Sequence, residues 1–146
     1  MEMKIESLIN KFGHMAGWNN VTVNLLGRDL EGVTELSYTD ETEKENAYGA
    51  GNMPIGRGVG NYSAKASMTL YKEEVIALQM ALGPGKRLQD IAPFDVIVQY
   101  EYNGFIYVDR IRNAEFSGNG SEVKQNDKTI AYKFDLIVSH VNWNLV

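Results

Sequence analysis

The sequence predicts a mainly β fold, an antiparallel β-sandwich or barrel flanked by one short α-helix near residues 72–82 and carrying a long glycine-rich arm. Three observations lead there. Apolar and polar residues alternate with a period of two in several separate stretches, the signature of a strand with one buried and one wet face. A helical period is sustained in one place only. Between two alternating stretches lies Tyr48–Tyr62, YGAGNMPIGRGVGNY, a connection too long and too rich in glycine to be an ordinary turn. With 146 residues, 44% of them hydrophobic, the chain reads as one domain, 1–146, able to bury a core, with an N-terminal segment 1–18 and an extended arm loop at 40–61.

Taken in order, Met1–Trp18 places Ile5, Leu8, Ile9 and Phe12 near helical spacing, but Gly13 and Gly17 interrupt it. A short helix or a segment docked on a partner both fit. Asn20–Leu26 is a strand, with Val21, Val23 and Leu25 on one face. Gly27–Leu30 turns the chain into a second strand, Glu31–Thr42, where Leu36 and Tyr38 share a face and Glu35, Ser37 and Thr39 occupy the other. Asp40, Glu41, Glu43 and Glu45, with Lys44 among them, read as a solvated strand end, or as a lumen or partner contact.

The arm follows. It carries Met53, Pro54, Ile55 and Arg57 among its glycines, an apolar cluster that a monomer would leave exposed and that a contact with a neighbouring subunit would cover. The blander alternative is a mobile surface loop. Tyr62–Tyr71 alternates cleanly, with Ala64, Ala66, Met68 and Leu70 on one face. The helix comes next: Val75, Leu78 and Leu82 recur at helical spacing, Ile76 and Met80 widen the stripe, and Gly83-Pro84-Gly85 stops it. Phe94–Tyr102 is a strand that returns through Asn103-Gly104, a two-residue hairpin signal, into Phe105–Arg112 and on to Phe116. Ser117–Lys128 is a polar loop, and a last strand places Ile130, Tyr132, Phe134, Leu136 and Val138 on one face.

No residue pattern carries chemistry. Cysteine is absent, which removes disulfides, thiolate nucleophiles and Cys-based zinc sites. His14 and His140 stand far apart with no metal-ligand spacing, so neither a metal nor a cofactor is expected. There is no GxSxG elbow. Gly51–Gly56 has the first spacing of a phosphate loop, but Arg57-Gly58 follows where Lys and Ser or Thr should be. The acids at 40–45 lack the rigid, partly buried setting of a catalytic pair, so the chain does not read as an enzyme. Trp18 and Trp143 read as packing residues, and Arg110 and Arg112, with Asp109 and Glu115 adjacent, as members of intersubunit or cross-strand ion pairs. A net charge of −5 argues against a surface that grips nucleic acid. No apolar run is long enough for a membrane anchor, and the first thirty residues lack a secretory pattern.

The strand–long loop–strand–short helix–strand order, with ELSYTDETEKENAYGAGNMPIGRGVGNYSAKASMTLYKEEVIAL as its central block, resembles the tail tube proteins of phages and phage-like contractile particles. The closing strand and tail, KTIAYKFDLIVSHVNW, are similar to that family's last strand, and SEVKQND to the loop before it. The likeness runs from Val21 to Trp143. It implies a β domain related in fold to the type VI secretion tube protein, a homo-oligomer closing hexameric rings that stack into a hollow conduit for DNA or effectors. It implies that the arm at Asp40–Asn61, with Met53, Pro54, Ile55 and Arg57, reaches an adjacent subunit or ring. A negative lumen would let DNA pass without specific binding, with Glu35, Glu101 and Asp135 as lumen-facing acids. Sheath, baseplate or tail-terminator proteins are the implied partners, and a virion tail or phage-like particle assembled in a bacterial cytoplasm the implied location. A type VI or bacteriocin-like injection tube is the neighbouring reading. A β-barrel holding a small apolar ligand against Phe94, Tyr100 and Phe134 is a third.

Overall fold

The alternation read from the sequence becomes one continuous antiparallel sheet folded over on itself. The computed structural model describes residues 11–13, 15–18 and 21–145; His14 and the N-terminal positions Ile5, Leu8 and Ile9 lie outside the described residues. The strands are β1 (Val21–Leu25), β2 (Arg28–Asp29), β3 (Val33–Tyr48) and β4 (Pro54–Tyr71), then α1 (Lys72–Leu82), β5 (Phe94–Tyr102), β6 (Phe105–Phe116), β7 (Ala131–Val138) and β8 (His140–Asn142). A short 3-10 turn, Leu88–Asp90, precedes β5. The strand order is β2-β1-β5-β6-β7-β4-β3, with β8 also paired to β6.

The fold-over happens in β6. Its first part pairs with β5, from Phe105 opposite Tyr102 to Ile111 opposite Val96, and its end pairs with β7, Phe116 opposite Leu136. Between the two parts the register slips, and Asn113 takes a left-handed φ of 53°, a conformation that asparagine tolerates better than most side chains. One half of the sheet, β2-β1-β5-β6 with β8, thereby faces the other half, β6-β7-β4-β3.

The core lies between the halves. Leu25, Val96, Val98 and Ile111 meet Met68, Leu70 and Phe134, all essentially without solvent contact. Aromatic rings cross the seam: Phe116 lies 5.6 Å from Phe94 and 5.7 Å, edge to face, from Phe134. Phe94 and Phe134 are therefore packing residues at a filled seam, which leaves the ligand-holding barrel without its expected lining.

The helix covers one end of this seam. Val75 and Leu78 point inward, and the Glu74 carboxylate accepts the Gly32 N–H at 3.1 Å. Gly83 ends α1 at φ 102°, its N–H donated to the Gln79 carbonyl. Ile76 and Met80, which widen the apolar stripe in the sequence, remain outside, Met80 at 78% exposure. The Asn103-Gly104 turn has both φ angles positive, 51° and 79°, as its type requires. Residues 117–130 form no strand.

The arm projects, but not as a loop. β3 and β4 stay paired from Val33 opposite Leu70 out to Tyr48 opposite Pro54, whereas β7 accompanies β4 only over Ala64–Tyr71. Residues 41–48 and 54–63 thus form a free-standing two-stranded ribbon, exposed throughout, with only 49–53 as its turn. The glycines permit this because ladder hydrogen bonds need backbone groups, not side chains. Gly56, Gly58 and Gly60 alternate with Arg57, Val59 and Asn61, a period of two in which every second side chain is missing.

Gly32 tests how tightly the helix is seated. A Cβ there would stand 2.1 Å from Glu74 Cγ, near the root of a buried side chain that has little room to move. Gly32→Ala is expected to destabilise the fold by about 1–3 kcal/mol, the usual cost of overpacking, read as a lower urea midpoint at unchanged slope. Gly118→Ala, which meets nothing within 4 Å, should leave the midpoint in place.

Candidate assembly interface

The ribbon is rooted by a polar cluster that draws in the last residues of the described chain. Asp40 on β3 accepts two hydrogen bonds on Oδ2, from the Tyr62 hydroxyl of β4 at 2.7 Å and from Trp143 Nε1 at 2.9 Å. The Tyr62 oxygen in turn accepts the Val141 N–H at 3.2 Å. The Trp143 ring stacks on Tyr38 with centroids 5.2 Å apart. Tyr38 then joins the other half of the sheet, its hydroxyl 2.8 Å from that of Tyr100 and 2.5 Å from Asp109 Oδ2. Asp109 also accepts the Asn144 N–H at 2.9 Å, and Leu145 N–H reaches the Val108 carbonyl at 2.7 Å. The C-terminal segment is thus strapped across the end of the sandwich from which the arm leaves.

The charges respond to this arrangement. The hydrogen bond from Trp143, and then that from Tyr62, hold the Asp40 carboxyl below its ordinary pKa. Burial first, then the hydrogen bonds to Asp109 and Tyr100, push the Tyr38 phenol well above its ordinary value. Desolvation, with Asp40 alongside, raises Tyr62 as well.

Beyond this root the ribbon has two unlike faces. Directly paired residues of antiparallel strands share a face. Lys44 is opposite Val59 and Asn46 opposite Arg57, whose Nε donates to Asn46 Oδ1 at 3.2 Å; Ile55 follows on the same side. The other face pairs Glu45 with Gly58 and Ala47 with Gly56. Glu43 lies over Gly60, where a Cβ would come within 2.6 Å of its carboxylate oxygen. One face is apolar and basic; the other is an acidic row beside bare backbone.

The residues expected on the arm are all there. Met53 sits in the turn, Pro54 opens β4, and Ile55 and Arg57 follow it, with Met53 and Ile55 at 71% and 74% exposure. Of the three acids, two come together. Glu35 lies opposite Thr69, and Asp135 opposite Ser67, on the outward face of the β6-β7-β4-β3 half. Glu101 stands elsewhere, near the far end of β5 opposite Ile106. The face shared by Glu35 and Asp135 is otherwise small and polar, with Ser37, Thr39 and Ser67, and it also carries Lys65 and Lys133. Its charge is mixed. β3, at the end of the strand order, is paired on one side only, so its outer edge offers backbone donors and acceptors.

Sequence reasoning missed the root. From the sequence Tyr38 and Tyr62 are sheet residues, Asp109 is an acid beside Arg110 and the closing HVN is a tail, although it forms β8 with Val141 buried opposite Ile111. The signal available was a tryptophan and an apolar residue two positions apart after the last strand. Arg112 pairs with Asp95 of the neighbouring β5 at 3.6 Å, a cross-strand ion pair of the kind the sequence leads one to expect. Among the described residues no three His, Asp or Glu side chains gather as a metal site, and no helix is long and apolar enough to cross a membrane.

No protein-family model matches the sequence. No curated protein is significantly similar to it in sequence. Solved structures are similar in fold. A chain of the extended sheath–tube complex of an extracellular contractile injection system matches with a TM-score of 0.63 at 12% identity, over 91% of this chain and 93% of that one. The tube-terminating cap of the anti-feeding prophage matches with 0.62 at 12% identity, over 97% of both chains. A chain of the native gene transfer agent virion matches with 0.53 at 11% identity, over 88% of this chain and 98% of its own. The fold is therefore one used by structural components of phage-like particles.

Acid reports on the root. Asp40's lowered pKa means that its contribution to holding Trp143 is complete above the ordinary carboxylate range, near 3.9, and is lost only as the pH falls through the lower folded value. In a Trp18→Phe protein, Trp143 emission is expected to stay constant down to about pH 4 and to change in a step below it. Asp40→Asn, which cannot titrate, removes that step.

Proposed function

We propose that the chain is the structural subunit of a phage-type tail tube, six copies closing a ring and rings stacking into a hollow conduit for DNA or effectors. The observation that carries this is the free-standing ribbon: a rooted, two-faced arm whose apolar side chains have no place to go on its own domain. A monomer gains nothing from keeping such a surface in water, and a fold shared with tube and cap components gives it a destination. In this reading the open edge of β3 meets a neighbour in the ring. The outward face carrying Glu35 and Asp135 lines the conduit, with Glu101 as a further acid whose position relative to it the assembly decides. Met53, Pro54, Ile55 and Arg57 make the intersubunit contact. No chemistry is required of the chain, and sheath, baseplate or terminator proteins complete the particle, built in a bacterial cytoplasm.

A second reading has its own support. The match to a tube-terminating cap spans 97% of both chains, so a terminator subunit, stacking on one side only, fits the same fold. An injection tube of the type VI or bacteriocin kind differs from a phage tail in components carried by other chains.

Negative-stain electron microscopy over a concentration series separates these readings. A tube subunit gives six-fold rings that lengthen into hollow tubes; a terminator gives rings that do not stack. Met53→Ser with Ile55→Ser is expected to leave the circular dichroism spectrum unchanged and to abolish the tubes. A monomer at every concentration, also when seeded with preformed assemblies, overturns the proposal.

A further inference from the structure

We infer that the socket for the arm lies on a second copy of this chain, at the C-terminal end of α1. This rests on the reading of the chain as a self-assembling subunit and adds where the arm goes. The groove there, of about 570 Å³, is lined by Ile76, Met80 and the Gly83-Pro84-Gly85 stop. Ile76 and Met80 are the two large apolar residues of α1 that the chain's own core leaves out, at 44% and 78% exposure. Met53 and Ile55 are apolar and exposed to a similar degree at the other extreme of the molecule. Neither patch can cover the other within one chain while the arm is held outward by Asp40, Tyr62 and Trp143.

Charge selects the same pairing. Lys86 lines the groove, and Lys72 and Arg87 line the adjoining one, which shares Gln79 with it. Among the described residues none of these three cations has an ion-pair partner. The arm brings Glu41, Glu43 and Glu45 on its acidic face, also without ion pairs among the described residues. The remaining charges match in the opposite sense. Arg57, beside Ile55 on the arm, is a cation, and Glu73, on the same helical stripe as Ile76 and Met80, is an anion. Arg57, on the same face as Ile55, thus complements Glu73 beside Ile76 and Met80, while Glu43 and Glu45, on the ribbon's other face, complement the cations of the adjoining groove.

The contact is small. A hairpin tip in a groove falls short of the roughly 1,200 Å² that stable pairwise interfaces bury, so the joint holds only when repeated around a closed assembly. That distinguishes it from a dimer interface and ties it to concentration.

The absence of cysteine makes the test direct. Ile55→Cys protein and Met80→Cys protein are mixed, concentrated and oxidised, with each sample also viewed by electron microscopy. A disulfide requires Cα atoms within about 7 Å, so a cross-linked pair forms only if the arm of one copy enters the groove of another. The expected result is a covalent dimer in the mixture, absent from either variant alone, and absent when Ile106→Cys, on the opposite half of the sheet, replaces Met80→Cys. Assemblies without the 55–80 bond overturn the socket and leave the subunit reading standing. Neither assemblies nor bond overturns both. As a second readout, Lys86→Glu with Arg87→Glu should raise the concentration needed for assembly at least tenfold, and Glu43→Lys with Glu45→Lys in the same chain should restore it; failure of that rescue also counts against the socket.

Discussion

Everything distinctive about this molecule depends on a carboxylate that receives two donors. Asp40 sits where β3 and β4 leave the sandwich, and it ties Tyr62 across the ribbon and Trp143 from the end of the described chain. Two-stranded hairpins are marginal in water because they have no second layer to pack on. Here the ribbon's first residues are fixed by charge-assisted hydrogen bonds and by the ring of Trp143 on Tyr38, and the pairing beyond them inherits that alignment. Tyr38 extends the hold to Tyr100 and Asp109, so that the root spans both halves of the sheet. A twist or slip at the root would swing the tip, many residues away, through a large arc.

The second constraint is the shared strand. β6 belongs to both halves, which join across its register slip and the left-handed Asn113. Because β8 pairs with β6 beside that slip, Arg112 opposite His140 and Ile111 opposite Val141, the strap carrying Trp143 is positioned by the same strand that closes the core. Core geometry and arm direction are therefore linked through a few residues of β6. The helix plays a different part. Glu74, Val75 and Leu78 seat it against the sheet, and its opposite stripe, Ile76 and Met80, is left as surface.

The β class, the single helix, its glycine stop and the Asn103-Gly104 hairpin were legible because each depends on short-range pattern: a period of two, a period near 3.6, a positive φ. The outward placement of Glu35 and Asp135 on their own strands rests on the same alternation, but their sharing a face depends on β4 lying between β3 and β7. The ribbon was not legible as a ribbon, because hydrophobic alternation cannot be seen where every second residue is glycine. Its strand character comes from the partner strand, a long-range fact. The exposure of Ile76 and Met80 has a related reason. Spacing tells which residues share a helical stripe, but not how much of that stripe the domain has room to cover. The root was the least visible part, since Asp40, Tyr62, Asp109 and Trp143 meet only after three separate strands are in place.

These points converge on the arm's role. A flexible glycine loop that ordered only on contact would lose much of its binding energy to its own immobilisation. A ribbon already paired along its length and clamped at its root has met that cost within the monomer, so any contact made by Met53 and Ile55 would lose less to ordering. Glycine at 56, 58 and 60 fits this economy of contact. It removes side chains from one face without breaking the ladder, and it makes room for Glu43 to lie flat along the strand. The result is a pre-formed ribbon with chemically different sides, one apolar and basic and the other acidic beside bare backbone.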